Sequence, residues 1–507
     1  MNIPYLPKGY DNAEAVLHSY KTDTEEDFIK RGERRALELF HLMSQRVPAY
    51  KDFLNKNAID AEEIKTISDF KKVPILDKKN YLTQYDLADL CWDGQLKQNQ
   101  FTIAATSGST GEPFYFPREH AQDLQYSLTA EIYLLNTFEI QKKSTLYING
   151  FGMGIWIGGV FTYQAIKLLS ERRKYPISII TPGSSKDEIL NAVKKLGVQF
   201  DQIIIAGYPP FVKDTLDEGV RKGINWKKYK LKFIFSAEGF GELFRDYISS
   251  ISGLENTYRD TLNHYGTVDL GTMAHETPLS ILVRKIVSSN SDCAKKLFKH
   301  EYKQPTVAQY SPEMFFFEEV DSILVCSAYS GLPLVRYSLK DTGGILSFET
   351  IKSVLIGNGI NIDREIAEKN LNDVILNLPI VYIHERNDFT VKLSGANIYP
   401  EEIRRALNSE VIQKFVTGKF QMQIIFDDNQ DQMLEINIEL KQNVRSTLVI
   451  EKQCLTMIVN ELLQSNSEYK YLYSLMPKKR IMPRIELKDY GDPLYFKSGV
   501  KQKWVRK

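Results

Sequence analysis

Thr106 to Pro113 reads Thr-Ser-Gly-Ser-Thr-Gly-Glu-Pro and follows the apolar run Phe101 to Ala105. Thr106, Ser107, Ser109 and Thr110 bring hydroxyls, and Gly108 and Gly111 free the backbone, so N–H and O–H groups can converge on phosphate oxygens as an anion nest. The spacing is not that of the P-loop, because no lysine follows the second glycine. An ordinary surface turn has the same composition, so the loop acquires meaning only from partners elsewhere in the chain. Arg386 is one candidate partner: it is permanently charged and presents a planar donor fork that suits ribose or phosphate oxygens, with an interdomain ion pair as its plain structural use. His264, His275 and Glu276 suggest a metal group by residue type, but the cysteines are not placed to complete a zinc site. The last stretch, Lys497 to Lys507, carries five basic side chains and no acid, which by composition is a solvated tail.

The elements that must position these residues are legible in outline. Thr24 followed by Glu25, Glu26 and Asp27 is an N-cap with an acidic first turn, and Ile29, Ala36, Phe40, Met43 and Val47 recur at helical spacing until Pro48. Short β-rich runs before Pro182, at Gln202 to Gly207 and at Lys232 to Gly239 alternate with helical stretches such as Asp187 to Leu196. That alternation predicts βαβ units around a buried, mostly parallel sheet. Phe315 to Ala328 predicts two strands around a tight turn near Val320 and Asp321. Beyond about residue 385 the pattern changes: Leu434, Ile436, Ile438 and Leu440 alternate with polar residues and a helical stretch follows to Leu463, so a smaller α+β unit begins near Asp388.

The chain has 507 residues, 43% hydrophobic and 25% charged, which excludes a disordered or collagenous protein and allows more than one folding unit. Its net charge of +1 provides no global field for nucleic acid or anionic lipid. Cys91, Cys293, Cys326 and Cys454 form no C-x-x-C pair, which fits a reducing cytoplasm. The first residues lack the pattern of a secretory signal. Ser144 to Ile166 is free of charge over a length that would span a bilayer. Its glycines, Gly150, Gly152, Gly154, Gly158 and Gly159, suit turns and close backbone approach better, so no stable membrane insertion is expected.

Several further stretches stand in a telling order. After the Thr106 loop come SAEG (Ser236 to Gly239), HYGTVD (His264 to Asp269), LPLVRYSLKDTG (Leu332 to Gly343) and ERNDFTVKLSGANIYPEEI (Glu385 to Ile403). With QRVPAYKDF and ISDFKKVPILDKKNY near the start, they resemble the adenylate-forming ANL superfamily, in its phenylacetate–CoA ligase-like branch. The resemblance implies an α/β fold with a large N-terminal adenylation domain (1–384) of mixed, largely parallel sheets. A small mobile α+β domain (385–507) would carry the catalytic lysine.

Under that resemblance the Thr106 to Gly111 loop binds phosphate, Ser236, Ala237 and Glu238 lie on the adenine side, Tyr265 and Gly266 form the aromatic-glycine motif, and Asp341 and Arg386 hold the ribose and phosphates of ATP. Asp269 would hold Mg, a hard cation with oxygen ligands, with Glu238 or a water bridge as the substitute. The family has glutamate where Asp269 stands and commonly lysine where Glu112 stands, so these are two departures. Asp388 corresponds to the hinge. Two lysines compete for the catalytic role: Lys501 in a Gly-x-Lys ending, which is preferred, and Lys488 in a Pro-Arg-x-x-x-Lys ending, with Lys503 as the remaining option. Phe151, Gly152, Trp156, Gly158 and Phe161 resemble the acyl-pocket region, a slot for a flat or aliphatic carboxylic acid; an aromatic-rich core segment has the same composition. The implied activity is ATP-dependent formation of an acyl-adenylate and transfer of the acyl group to a thiol, with coenzyme A as the expected co-substrate. Transfer to an amine, carrier or protein is the alternative, and the departures at Glu112 and Asp269 motivate a further one, a nucleotide-binding protein without turnover. The acid and the oligomeric state are not legible; a homodimer is compatible.

Overall fold

Gln202 to Gly207, an apolar run without alternation, becomes a strand buried along its whole length, as expected where helices cover both faces of a parallel sheet. The computed structural model describes residues 3–106, 113–155, 157–299, 304–386, 390–496 and 505. The chain divides into one unit of Met1–Ala105, Tyr115–Gly207 and Val212–Glu385 and another of Thr106–Phe114, Tyr208–Phe211 and Arg386–Lys507.

In the first unit β1 (Thr102–Ala105) and β2 (Tyr115–Arg118) pair antiparallel. The central sheet uses β3 (Thr145–Asn149), β4 (Ile177–Ile180), β5 (Gln202–Gly207), β6 (Leu231–Phe235), β7 (Thr261–Thr267), β8 (Gly271–His275), β9 (Thr306–Gln309), β10 (Phe315–Val320), β11 (Ile323–Ala328), β12 (Leu334–Leu346) and β13 (Ile380–Arg386). Its 11 strands run in the order β10-β11-β12-β13-β9-β8-β7-β6-β5-β3-β4. β4, β3, β5, β6 and β7 are parallel neighbours, whereas β7–β8, β8–β9, β9–β13 and β10–β11–β12 are antiparallel. The expected tight turn is Asp321 and Ser322, both in the left-handed region (φ 52° and 63°), which matches the twist of the strands they join.

The helix expected after Thr24 runs Glu25–Arg46, preceded by a shorter one at Ala13–Thr22, and has a capping box between Thr24 and Asp27. Its buried stripe begins at Phe28 rather than Ile29 and continues through Ala36, Phe40 and Met43. Gly32 lies where an added Cβ would come within 2.5 Å of Pro312, so the helix packs closely there. Pro48 starts the next helix, Pro48–Lys56, because its missing N–H is tolerated in a first turn. The charge-free run from Ser144 splits into β3, a loop and the start of the helix Ile157–Glu171. Among the described residues no helix is long and apolar enough to cross a membrane. The stretch 277–312, silent in sequence, forms helices Pro278–Ser288 and Ser291–Phe298. Leu282, Val283, Cys293 and Leu297 of these helices are buried in one core with Val307 and Ile380.

The His264, His275 and Glu276 group resolves into core structure. Glu276 is fully buried between Arg245 and Arg284, and Arg245 also bonds Glu242 and Thr261. His264 packs against Tyr133 with ring centroids 5.2 Å apart, and burial, reinforced by His275, lowers its pKa to about 3. The sign follows. Unfolding exposes this ring, so the unfolded chain binds a proton that the folded chain refuses as pH falls from about 6.5 toward 3, and stability drops over that window. His264→Leu is expected to flatten the dependence of the urea midpoint on pH between 7 and 5, measured side by side with the parent; an unchanged slope would refute the assignment.

The second unit holds the hairpin β14 (Val391–Leu393) and β15 (Ala396–Ile398), turned by Ser394 (φ 50°) and Gly395 (φ 95°). A three-stranded sheet follows, β16 (Val416–Phe426), β17 (Gln432–Leu440) and β18 (Arg484–Lys488), antiparallel at β16–β17 and parallel at β17–β18. Leu434, Ile436, Ile438 and Leu440 all face its core, which the helix Leu448–Ser465 closes with Cys454, Ile458 and Leu462.

Candidate functional site

The described residues on either side of the Ser/Thr/Gly loop are the antiparallel strands β1 and β2. Next to the strands, Thr106 N–H donates to the Phe114 carbonyl (3.0 Å) and Phe114 N–H donates to Thr106 Oγ1 (3.1 Å). The sequence predicts this stretch only as a turn; the paired strands β1 and β2 supply the rigid support a binding loop needs. Ser107, Gly108, Ser109, Thr110, Gly111 and Glu112 lie outside the described residues.

Three chain segments bring the remaining nucleotide-side candidates to one sheet. Ser236, Ala237 and Glu238 leave the end of β6, with Ala237 in the left-handed region (φ 75°), a conformation that costs an L-residue of this type about 1 kcal/mol or more. Asn263 Nδ2 holds this turn by donating to the Glu238 carbonyl (3.0 Å). Tyr265, on the neighbouring β7, is buried and donates its hydroxyl to Asp341 Oδ2 on β12 at 2.5 Å. Phe317 stacks on Tyr265 with centroids 6.2 Å apart, fixing the ring from one side. Gly266 is a close approach: a Cβ there would lie 2.6 Å from the Gly271 carbonyl on β8. Asp341 is 6% exposed, so its carboxylate is aimed by packing and by Tyr265 rather than by solvent.

Arg336, in the same segment as Asp341, has a different task. It bonds Glu318 (3.1 Å) and the Lys71 and Val73 carbonyls, which anchors β12 to the N-terminal segment. Asp269 accepts the Tyr337 hydroxyl at 2.7 Å, and Lys78 Nζ lies 3.8 Å from its other oxygen. One carboxylate partly balanced by a lysine is a donor set that fits a Mg ion completing its shell with phosphate oxygens and water, as Mg commonly does.

The acyl-pocket segment divides on inspection. Phe151 is buried, and Gly152 serves close packing: a Cβ on Gly159 would meet the Gly152 carbonyl at 2.4 Å. Phe151, Gly152 and Gly158 do not line the adjoining cavity; Trp156 lies outside the described residues. Of the expected residues Phe161 does line it, with Gly154, Ile155, Ile157, Val160 and Gln164, Thr102, Ile103 and Ala104 of β1, and Arg118 and Asp123. The cavity volume is about 50 Å³. Arg118 and Asp123 were not legible as site residues, because an arginine closing an aromatic run reads as a solvated strand end.

In the second unit Lys488 ends β18, with Nζ 3.4 Å from Glu486 and 4.7 Å from the Tyr495 ring centre. Lys501, Lys503, Asp388 and the side chain of Arg386 lie outside the described residues, although Arg386 itself ends β13.

No protein-family model matches the sequence, and no curated protein matches it. Solved structures do. The chain superposes on a 2-hydroxyisobutyryl-CoA ligase crystallised with 2-HIB-AMP and CoA in the thioesterification state, with a TM-score of 0.66, 14% identity, and 100% of this chain and 96% of that chain covered. The same ligase in its postadenylation state with R3-HIB-AMP gives 0.55 at 14% identity, with 100% and 96% covered. Its open conformation with 2-HIB-AMP and CoA gives 0.55 at 14% identity, with 100% and 98% covered. The superposition takes in this chain's 11-stranded mixed sheet and its small α+β unit, since it runs over the whole length. The chain therefore has the fold of the adenylate-forming ANL superfamily.

Proposed function

We propose that this protein is an AMP-forming acid ligase, which joins a small carboxylic acid to the α-phosphoryl of ATP with release of pyrophosphate and then transfers the acyl group to a thiol, coenzyme A. The observation that carries the reading is the buried Tyr265–Asp341 pair, a carboxylate and an aromatic face set side by side where a ribose and an adenine need them. The order of the motifs supports the phenylacetate–CoA ligase-like branch, and the 2-HIB-AMP and CoA named with the similar ligase support the acyl-adenylate and the thiol.

In this reading Asp341 accepts the ribose hydroxyls and Tyr265 stacks on the base. The hydroxyls and backbone of Thr106 to Gly111 cradle the phosphates, Ser236, Ala237 and Glu238 border the adenine, and Arg386 donates its fork to ribose or phosphate oxygens. Mg bound at Asp269 would neutralise phosphate charge. Holding acid and ATP in line removes the translational freedom that otherwise dominates a bimolecular barrier. Lys501 supplies positive charge to the α-phosphoryl as the carboxylate attacks, with Lys488 as the competing candidate. The unit from 385 to 507 turns about Asp388 between the half-reactions. Four free cysteines, all buried, fit a cytoplasmic enzyme.

The test is ATP-dependent hydroxamate formation with pooled aromatic, aliphatic and amino acids, since hydroxylamine traps an activated acyl group whatever the natural acceptor. A positive pool is expected, and Asp341→Asn is expected to raise the KM for ATP by roughly 10- to 100-fold, the worth of a charged hydrogen bond. Silence across all pools with ATP bound would replace this reading by that of a nucleotide-binding protein without turnover. Product mass spectrometry with coenzyme A against amine acceptors decides the second step.

A further inference from the structure

Arg118 ends β2 and is 4% exposed, yet its Nε and Nη2 have no hydrogen-bond partner among the described residues. Its guanidinium lies 3.8 Å from the centre of the Phe161 ring, and Phe161 in turn stacks on Tyr126 at 4.3 Å and 22°. Gly271 closes the other side: at φ +86° it carries no Cβ, and one there would sit 3.1 Å from Arg118 Nη2 and 3.3 Å from Phe161. The guanidinium is thus clamped in place. Asp123 shares the cavity wall, but Arg118 Nε and Nη2 have no hydrogen bond to it. Burial lowers the pKa of Arg118 to about 10, with Asp123 offsetting part of that.

A buried cation without a hydrogen-bonded partner is costly. A fold keeps one where an incoming anion completes it, and a guanidinium fork matches a carboxylate in two parallel bonds. The rest of the wall is largely apolar, with Ile103, Ile155 and Val160, which suits a short carbon chain. A volume of about 50 Å³ admits only a few water-sized groups, since one water needs roughly 10–15 Å³ by the same measure.

We propose that this cavity receives the acid and that Arg118 binds a second carboxylate on it, so that the substrate is a short diacid held at one end and activated at the other. The proposal rests on the acid-ligase reading above and names its substrate class. A neutral chain end would leave Arg118 desolvated and unpaired, whereas a second carboxylate satisfies it.

The experiment uses the full chain and isosteric pairs: malonate, succinate and glutarate against malonamate, succinamate and glutaramate. Binding is read by calorimetry without ATP, and activation by acid-dependent ATP–pyrophosphate exchange. At least one diacid is expected to exceed its own monoamide by about 100-fold in both readouts, and Arg118→Met, checked for folding by circular dichroism, is expected to bring that ratio to about 1. Arg118→Lys should restore part of it. Monoamides handled as well as diacids by the parent protein would overturn the proposal without any variant. An equal loss for both partners of a pair in Arg118→Met would overturn it too, because Arg118 would then serve the reacting carboxylate. Exchange with monoacids and none with diacids removes the proposal and leaves the ligase. Arg118-dependent diacid binding without exchange leaves the anion site and removes the ligase.

Discussion

Lys501→Ala is expected to lower ATP-dependent hydroxamate formation by roughly 100- to 1,000-fold, while thioester formation from a supplied acyl-adenylate stays within a few-fold of the parent. Negative charge grows at the α-phosphoryl only in the first half-reaction, so a positioned ammonium is needed there and not in the attack of the thiol. The parallel substitution Lys488→Ala is expected to change adenylation by only a few-fold. Its ammonium already faces Glu486 at 3.4 Å and the Tyr495 ring at 4.7 Å, a setting in which a charge is held by its own strand. Single-turnover measurement of the two half-reactions separates the cases. Loss of thioester formation alone in Lys501→Ala would remove the assignment, and the reverse pattern between the two lysines would move the role to Lys488.

Arg245→Met is expected to destabilise the protein by about 3–5 kcal/mol, the cost of breaking a buried ion pair from one side. Arg245 is fully buried and donates to both oxygens of Glu276 at 2.9 Å, to Glu242 at 2.9 Å and to Thr261. Methionine fills much of the same space but returns none of those bonds, so among the described residues Glu276 keeps only Arg284 as an ion-pair partner. The measurement is the urea midpoint of the full chain at neutral pH. A companion, Arg245→Met with Glu276→Gln, should recover part of the loss, because the stranded charge is then gone. If the single variant were as stable as the parent, the network would not support the site-bearing strands β7 and β8 that flank it.

These expectations divide by how they were reached. Lys501 and the order of the motifs are matters of sequence. For Glu276 the sequence offers only a grouping with His264 and His275 by residue type, one that the cysteines are not placed to complete as a zinc site. In the fold Glu276 turns to two arginines and the histidines pack with Tyr133. Type and proximity in the chain are shared by the two readings; the direction each side chain leaves its strand is not.

What the sequence determined by itself was local. Capping residues and apolar spacing set the helix after Thr24, uninterrupted apolar runs set the buried parallel strands, and strict alternation set β17, because each depends on contacts a few residues apart. The tertiary structure decided which distant residues meet. Tyr265 and Asp341 are 76 positions apart, and Arg118 reaches Phe161 and Gly271 only because the paired strands β1 and β2 lie over the helix Ile157–Glu171 and the start of β8. Sheet order and register choose those partners, and both are set by burial of the whole core, a property that no short window of sequence contains.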